Sequence, residues 1–106
     1  MNLKVRLRDK IENSITYPNM ELMFESISFI KPISSYDVEL ETEFVDIKNI
    51  TIYENDILHS ELYNKKYKVI FKNGYFQLSF LGDGFDILKG QVLSQLIINA
   101  NFLVLW

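Results

Sequence analysis

The chain contains no cysteine, and its 106 residues include only two prolines and four glycines. Without cysteine it can form no disulfide, zinc finger, iron–sulfur site or thiol nucleophile. No apolar run approaches the roughly 20 residues that span a bilayer, and the basic start of the chain lacks the apolar segment of a signal peptide. We therefore expect a cytoplasmic protein in a bacterial host cell, with no membrane partner.

Apolar residues, in contrast, are plentiful. The sequence is 48% hydrophobic and 14% aromatic, which is enough for one core at this length, so we expect a single domain over residues 1–106. The net charge of −3 argues against non-specific coating of nucleic acid, which is typical of basic proteins. Abundant Ile, Asn and Lys beside only two Arg indicate an AT-rich genome, that of a low-GC bacterium or one of its phages.

The segment 3–8 alternates between apolar and basic residues, which is the period of a half-buried strand. Leu3, Val5 and Leu7 are predicted to face the core. The basic residues are predicted to form a solvent face: Lys4, Arg6 and Arg8.

Residues 37–44 alternate in the same way, and Val38, Leu40 and Phe44 are predicted to face inward. The opposite side would carry a row of carboxylates that repeats every ~6.6 Å, a spacing comparable to that of phosphates along a nucleic-acid strand. One hypothesis is that this row, with Asp46, imitates phosphates and binds a basic groove on a nucleic-acid enzyme. The simpler alternative is a solvated face paired with the basic residues of segment 3–8. The row consists of Asp37, Glu39, Glu41 and Glu43.

Asn73-Gly74 is the strongest local signal, because this dipeptide supplies the two positive φ angles of a type I′ hairpin turn. A two-residue turn fixes the register of the flanking strands. On one face the predicted pairs are Phe71 with Phe76, Val69 with Leu78 and Tyr67 with Phe80. On the other face they are Lys68 with Ser79 and Lys72 with Tyr75.

The remaining segments complete a mainly β prediction: a small curled sheet or an SH3-like barrel with one or two short helices. Residues 50–59 are predicted to form strands separated by a turn at 54–56, whereas residues 18–28 and 91–100 fit a helix or a strand equally well. The apolar tail must pack on this domain, on a partner or on a second copy. Its candidate contact residues are Phe102, Leu103, Leu105 and Trp106.

The sequence shows no legible catalytic or metal site. His59 is the only histidine, and without partners it is interpreted as a structural or surface residue. Asp83 and Asp86 flank Gly84 without the ligand spacing of an EF-hand, so a turn is the preferred interpretation. We therefore expect no enzymatic activity, no metal and no cofactor.

A mixed basic and aromatic set has two interpretations. It forms either a face that binds single-stranded nucleic acid or, the preferred interpretation, solvated lysines beside core tyrosines. The hairpin register favours the second, because it turns Tyr67 inward. The set is Lys65, Lys66, Lys68 and Lys72 with Tyr63, Tyr67 and Tyr75.

Several of these motifs resemble the YopX family of small phage and prophage proteins. The similar segments are 3–10, 43–57 and 67–76, and the most specific block is Ile52-Tyr53-Glu54-Asn55-Asp56-Ile57. The chain departs from the family pattern at Arg8, where an aromatic residue is common, at Asn55, which replaces Gly, and in a reduced element at 99–103. The resemblance implies a mostly β fold and a phage origin, and it implies no particular activity.

Three functions follow as hypotheses. The first is a phage interaction protein that binds and modulates, by inhibition, a host protein such as a defence nuclease or a replication factor. The second is a small-barrel module that binds nucleic acid, which the net charge opposes. The third is an oligomeric structural or packaging component that associates through the tail 102–106.

Overall fold

The computed structural model describes residues 5–17 and 35–105. The elements in these ranges are β1 Val5–Asp9, β2 Ile15–Thr16, β3 Tyr36–Val45, β4 Thr51–Tyr53, β5 Ile57–Ser60, β6 Lys65–Lys72, β7 Tyr75–Phe80, α1 Gln95–Ile98 and β8 Phe102–Val104. The strands form two four-stranded sheets, of order β2-β1-β3-β4 and β7-β6-β5-β8, and one of them is strongly curled. The predicted mainly β class is confirmed.

The chain divides into two compact units, Met1–Glu41 and Thr42–Trp106. The single domain expected over residues 1–106 remains a prediction, and the predicted segment 18–28 lies outside the described residues. Among the described residues, no helix has the length and apolarity required to cross a membrane.

In the first unit, β1 and β3 pair antiparallel, with Arg6 directly opposite Glu39. Leu7 is buried as predicted, but Arg6 is buried as well and Arg8 is half-buried, so the predicted solvent face is wrong at these two positions. Leu3 and Lys4 lie outside the described residues. Glu39 is 1% exposed, whereas Val38 is 49% exposed and Leu40 is also exposed. The predicted orientation of this part of β3 is therefore inverted.

A buried ion pair explains the inversion. Arg6 Nε lies 2.7 Å from Glu39 Oε1, and Arg8 Nε lies 3.0 Å from Glu39 Oε2. Charges leave water only when they are paired and hydrogen-bonded, and here one carboxylate serves two guanidinium groups. The alternative that this strand pairs with the basic strand is thus confirmed for Glu39.

Further along β3, the residues that face inward change from the odd-numbered Glu39 to the even-numbered Thr42 and Phe44. Glu43 has a φ of 69°, a left-handed angle that is uncommon for a residue with a long side chain. Thr42 is buried and its hydroxyl donates to the carbonyl of Ile52 at 2.7 Å, while Phe44 packs against the core of the second unit. The prediction is therefore confirmed for Glu43, which is exposed, and for Phe44.

The core of the second unit is built around the hairpin of β6 and β7. The predicted register is confirmed at every pair, from Tyr67 with Phe80 to Lys72 with Tyr75. The strands and turn predicted over 50–59 are confirmed by β4 and β5. The buried apolar cluster consists of Ile52, Leu58, Tyr67, Val69, Leu78, Leu93, Ile98 and Phe102.

The hairpin turn has φ angles of 55° at Asn73 and 83° at Gly74. A Cβ at Gly74 would meet nothing within 4 Å, so only the backbone angle opposes a side chain there. We expect Gly74→Ala to lower the free energy of unfolding by about 1 kcal/mol, measured by urea denaturation. The exposed variant Gln91→Ala serves as control, and an equal loss in both variants would contradict this role of the turn.

Asparagine supplies most of the other left-handed positions. Every described asparagine except Asn99 has a positive φ, between 52° and 74°. Short polar side chains tolerate this region because they hydrogen-bond locally. The positions are Asn13, Asn49, Asn55, Asn64, Asn73 and Asn101.

The C-terminal segment folds back onto the second unit. Ser94 caps the helical turn α1 by accepting from the backbone N–H of Ile97 at 3.3 Å, so the helical alternative is confirmed within segment 91–100. Strand β8 then pairs with β5, and Phe102 enters the core, where its ring centroid lies 5.7 Å from that of Tyr67. Residues 102–104 of the tail thus pack on this domain, one of the predicted alternatives, whereas Leu105 is exposed.

Candidate functional site

The loop between β7 and α1 is organised by one buried carboxylate. Asp86 is 4% exposed. Its Oδ1 accepts from the Tyr67 hydroxyl at 2.5 Å and from the backbone N–H of Leu88 at 2.9 Å. Its Oδ2 accepts from Lys65 Nζ at 2.9 Å. Two side-chain donors from β6 and one backbone donor within the loop therefore fix the position of Asp86.

The pKa values of the two buried partners follow from this arrangement. Burial alone would raise the pKa of Asp86, but the hydrogen bonds from Tyr67, Lys65 and the Leu88 backbone outweigh it and hold that pKa below its usual range. Burial raises the pKa of Tyr67, and the hydrogen bond to Asp86 raises it further. Asp86 is therefore a carboxylate and Tyr67 a neutral phenol at neutral pH.

Large apolar side chains flank the buried carboxylate on both sides. Phe85 is 88% exposed and Ile87 is 67% exposed, and Leu81 at the start of the loop is exposed too. Asp86 lies between Phe85 and Ile87, and its hydrogen bonds fix the backbone at this point. The side chains of Phe85 and Ile87 extend into solvent. The loop thus carries large apolar side chains that are not buried in the core.

The turn between β5 and β6 lies beside this loop. Lys65, the first residue of β6, forms the ion pair with Asp86, and the Leu81 N–H donates to the carbonyl of Lys66 at 3.0 Å. Two more exposed apolar residues stand in that turn, so both segments contribute to one end of the sheet. We call this group the end patch: Leu62, Tyr63, Leu81, Phe85 and Ile87.

The predicted carboxylate row does not form as a solvent-facing series. Glu39 is buried against two arginines, whereas Asp37 and Glu43 are exposed and Glu41 is half-buried. A mimic of regularly spaced phosphates would need every member of the row in solvent. The hypothesis of phosphate mimicry by these four residues therefore loses its geometric basis.

Asp46 is also buried and serves the fold. Its Oδ1 accepts from the backbone N–H groups of Lys48 and Ile50 at 2.8 and 2.9 Å. Its Oδ2 accepts from Val104 N–H at 3.0 Å, which ties the turn after β3 to β8. With both oxygens engaged, Asp46 is unavailable to a partner.

The tail residues predicted to contact a partner are distributed differently. Phe102 is in the core, so it cannot contact a partner or a second copy, and Leu103 is half-buried. Leu105 is exposed, and Trp106 lies outside the described residues.

The remaining polar candidates lie apart from one another. His59 is half-buried, with Nε2 at 3.1 Å from Asn64 Oδ1, in agreement with its structural or surface interpretation. Tyr67 points inward as predicted, and Lys65 is tied to Asp86. Among residues 5–17 and 35–105, no group of three or more His, Asp or Glu is placed to hold a metal ion.

Sequence reasoning missed the end patch. The available signal was the apolar pair Phe85 and Ile87, which follows Gly84 without the period of a strand or a helix that would bury it. No local pattern in the sequence indicates that Asp86 is buried and anchors the loop, because its partner Tyr67 is 19 residues away.

Comparison with models of protein families and with curated proteins finds no match to this sequence.

Proposed function

We propose that the protein is a phage-encoded interaction protein that binds and modulates a host protein, with the end patch as its contact surface. The observation that carries this proposal is the pair Phe85 and Ile87, held in solvent on either side of the buried Asp86. A defence nuclease or a replication factor is the class of host target we favour. The proposed action is binding, and the chain would modulate its target by occupying a surface.

The energetics of the end patch suit an interface anchor. Burying a Phe or Ile side chain contributes about 1.5–3 kcal/mol, and aromatic anchors are enriched at the centres of interfaces. Because the hydrogen bonds of Asp86 already order the loop, binding costs less conformational entropy than it would for a flexible segment.

The phage origin in this proposal rests on the YopX-like motifs. Two of those motifs contain aspartates that hold turns. Asp9 Oδ1 accepts from the N–H groups of Ile11 and Glu12 at 2.8 and 2.9 Å, and the fully buried Asp56 accepts from Tyr53 N–H at 2.8 Å. Residues of this kind define the shape of the chain and leave the choice of partner to exposed residues.

The test compares tagged wild-type protein with the double variant Phe85→Ser/Ile87→Ser in nuclease-treated lysate of a low-GC host. We expect a host protein that co-purifies with the wild type to be reduced at least tenfold with the double variant, because truncating central anchors costs 2 kcal/mol or more. Quantitative mass spectrometry of the eluates measures this loss.

The matched control is Val92→Ser/Leu96→Ser, which removes two exposed apolar side chains elsewhere in the second unit. It should retain the host protein, and all variants should unfold within about 0.5 kcal/mol of the wild type. If the double variant retains the partner as well as the control does, the end patch is not the contact surface.

A further inference from the structure

The second sheet has one face turned to the core and one turned to solvent. Residues that pair directly across antiparallel strands share a face. The pairs Lys66 with His59, Lys68 with Ser79 and Lys72 with Tyr75 therefore lie on the same side, opposite the buried Tyr67 and Val69. We call this side the outer face: Ile57, His59, Lys66, Lys68, Ile70, Lys72, Tyr75, Gln77, Ser79 and Leu103.

The outer face is basic, and none of its residues is buried. Lys66, Lys72 and Tyr75 are exposed, and the other seven residues are half-buried. It carries three lysines and no Asp or Glu, although the whole chain has a net charge of −3. Lys65, which pairs with Asp86, belongs to the opposite side, and among the described residues no ion pair joins Lys66, Lys68 or Lys72 to a carboxylate.

We propose that the outer face binds a single-stranded nucleic acid along β6, a function that goes beyond the contact with a host protein and uses a different surface. Lys66 and Lys68 are two residues apart on one strand, a separation of ~6.6 Å that is comparable to the distance between successive phosphates of an extended chain. Lys72 continues the row at the far end of the same strand. The row therefore follows a backbone of phosphates rather than a single anion.

The far end of the row also offers a stacking group. Tyr75 is 60% exposed and lies directly opposite Lys72. Base stacking on an aromatic ring contributes about 1–3 kcal/mol and tolerates any sequence. His59, Gln77 and Ser79 beside the lysines add polar groups that suit sugars and base edges. Open sheet faces with lysines and aromatics are a recurrent platform for single strands.

The expected affinity for nucleic acid follows from the three lysines of the outer face and the net charge of −3 of the whole chain. Three lysines make about three phosphate contacts, and the logarithm of the binding constant then falls with the logarithm of salt concentration with a slope of about −2. The carboxylates elsewhere do not provide long-range steering, so binding should be modest and lost at high salt.

The experiment measures fluorescence anisotropy of a labelled 15-nucleotide oligo(dT) and the matching oligo(U) at several salt concentrations. We expect the wild type to bind with a slope near −2, and Lys66→Gln/Lys68→Gln/Lys72→Gln to weaken binding at least tenfold at low salt. The control Lys10→Gln/Lys48→Gln/Lys89→Gln removes the same charge from exposed lysines that are not members of the outer face and should bind like the wild type. Tyr75→Ser should weaken binding several-fold without changing the slope.

Equal binding by the two triple variants would overturn the proposal, since charge alone would then explain the interaction. Binding to vesicles containing anionic lipid with none to the oligonucleotides would overturn it in favour of a lipid surface. The variant Phe85→Ser/Ile87→Ser should bind the oligonucleotides normally, so failure of the end patch as a protein contact is distinguishable from failure of the outer face. Circular dichroism and thermal unfolding confirm that each variant is folded.

Discussion

Glu39→Gln is expected to lower the free energy of unfolding by about 3 kcal/mol, the loss typical of removing one member of a buried ion pair. The substitution keeps the shape of the side chain but takes its charge away from Arg6 Nε at 2.7 Å and Arg8 Nε at 3.0 Å. The Arg6 guanidinium would then stay buried while its pairing at this site is weakened, and a buried charge is costly when its pairing is weakened. Urea denaturation followed by circular dichroism measures the change.

The control for this substitution is Asp37→Asn, which neutralises an exposed carboxylate on the same strand. An exposed position of this kind should change the free energy of unfolding by no more than about 0.5 kcal/mol. Similar losses in both variants would mean that general charge balance, and not the buried pair, stabilises this part of the chain.

Asp86→Asn is expected to cost about 2 kcal/mol at neutral pH. The amide oxygen of Asn can still accept the two hydrogen bonds that Asp86 Oδ1 accepts, but without a full negative charge the bond from the Tyr67 hydroxyl is weaker. An amide N–H replaces the oxygen that accepts from Lys65 Nζ, so that bond is lost in a buried site. Because the same bonds position the loop, we also expect weaker capture of the host protein by this variant. Chemical denaturation at pH 7 gives the stability difference.

The cost of Asp86→Asn should depend on pH. Since the folded-state pKa of Asp86 lies below its usual value, the unfolded chain takes up the proton first as the pH falls. The contribution of Asp86 is therefore complete above about pH 4, the usual range of an aspartate, and is lost as the pH falls through the folded-state pKa. Wild type and variant should therefore converge in stability as the pH falls below about 4 and through the lowered folded-state pKa of Asp86.

The matched control is Asp83→Asn in the same loop, where the carboxylate is exposed. Its free energy of unfolding at pH 7 should lie within about 0.5 kcal/mol of that of the wild type, as expected for an exposed position. A constant gap between wild type and Asp86→Asn down to low pH would show that the charge of Asp86 does not contribute to stability.

The parts of the fold that were predictable from sequence are those determined by neighbouring residues. Asn73-Gly74 determines a turn, the turn determines the register, and alternation on both sides places Val69 and Leu78 inside. Each step depends on residues close in the chain, so no knowledge of the remaining fold was required.

The orientation of β3 was not predictable in this way. Glu39 among other acids has the pattern of a solvated strand, and only its contact with Arg6, 33 residues away, reverses that orientation. The end patch depends similarly on a distant contact, that between Asp86 and Tyr67. Hydrophobic patterning assigns charged residues to solvent by default, so a buried pair of opposite charges is the arrangement that it misplaces.

The left-handed asparagines link the turns of this protein to the base composition of its gene. Glycine is the usual residue at positive φ, and its codons begin with GG, whereas those of asparagine begin with AA. Because asparagine provides the positive φ at Asn13, Asn49, Asn55, Asn64 and Asn101, these turns form with A-rich codons, which suits the AT-rich genome that the composition indicates. In such a genome a low glycine content does not indicate a chain with few turns, because the same backbone geometry is encoded by a different base composition.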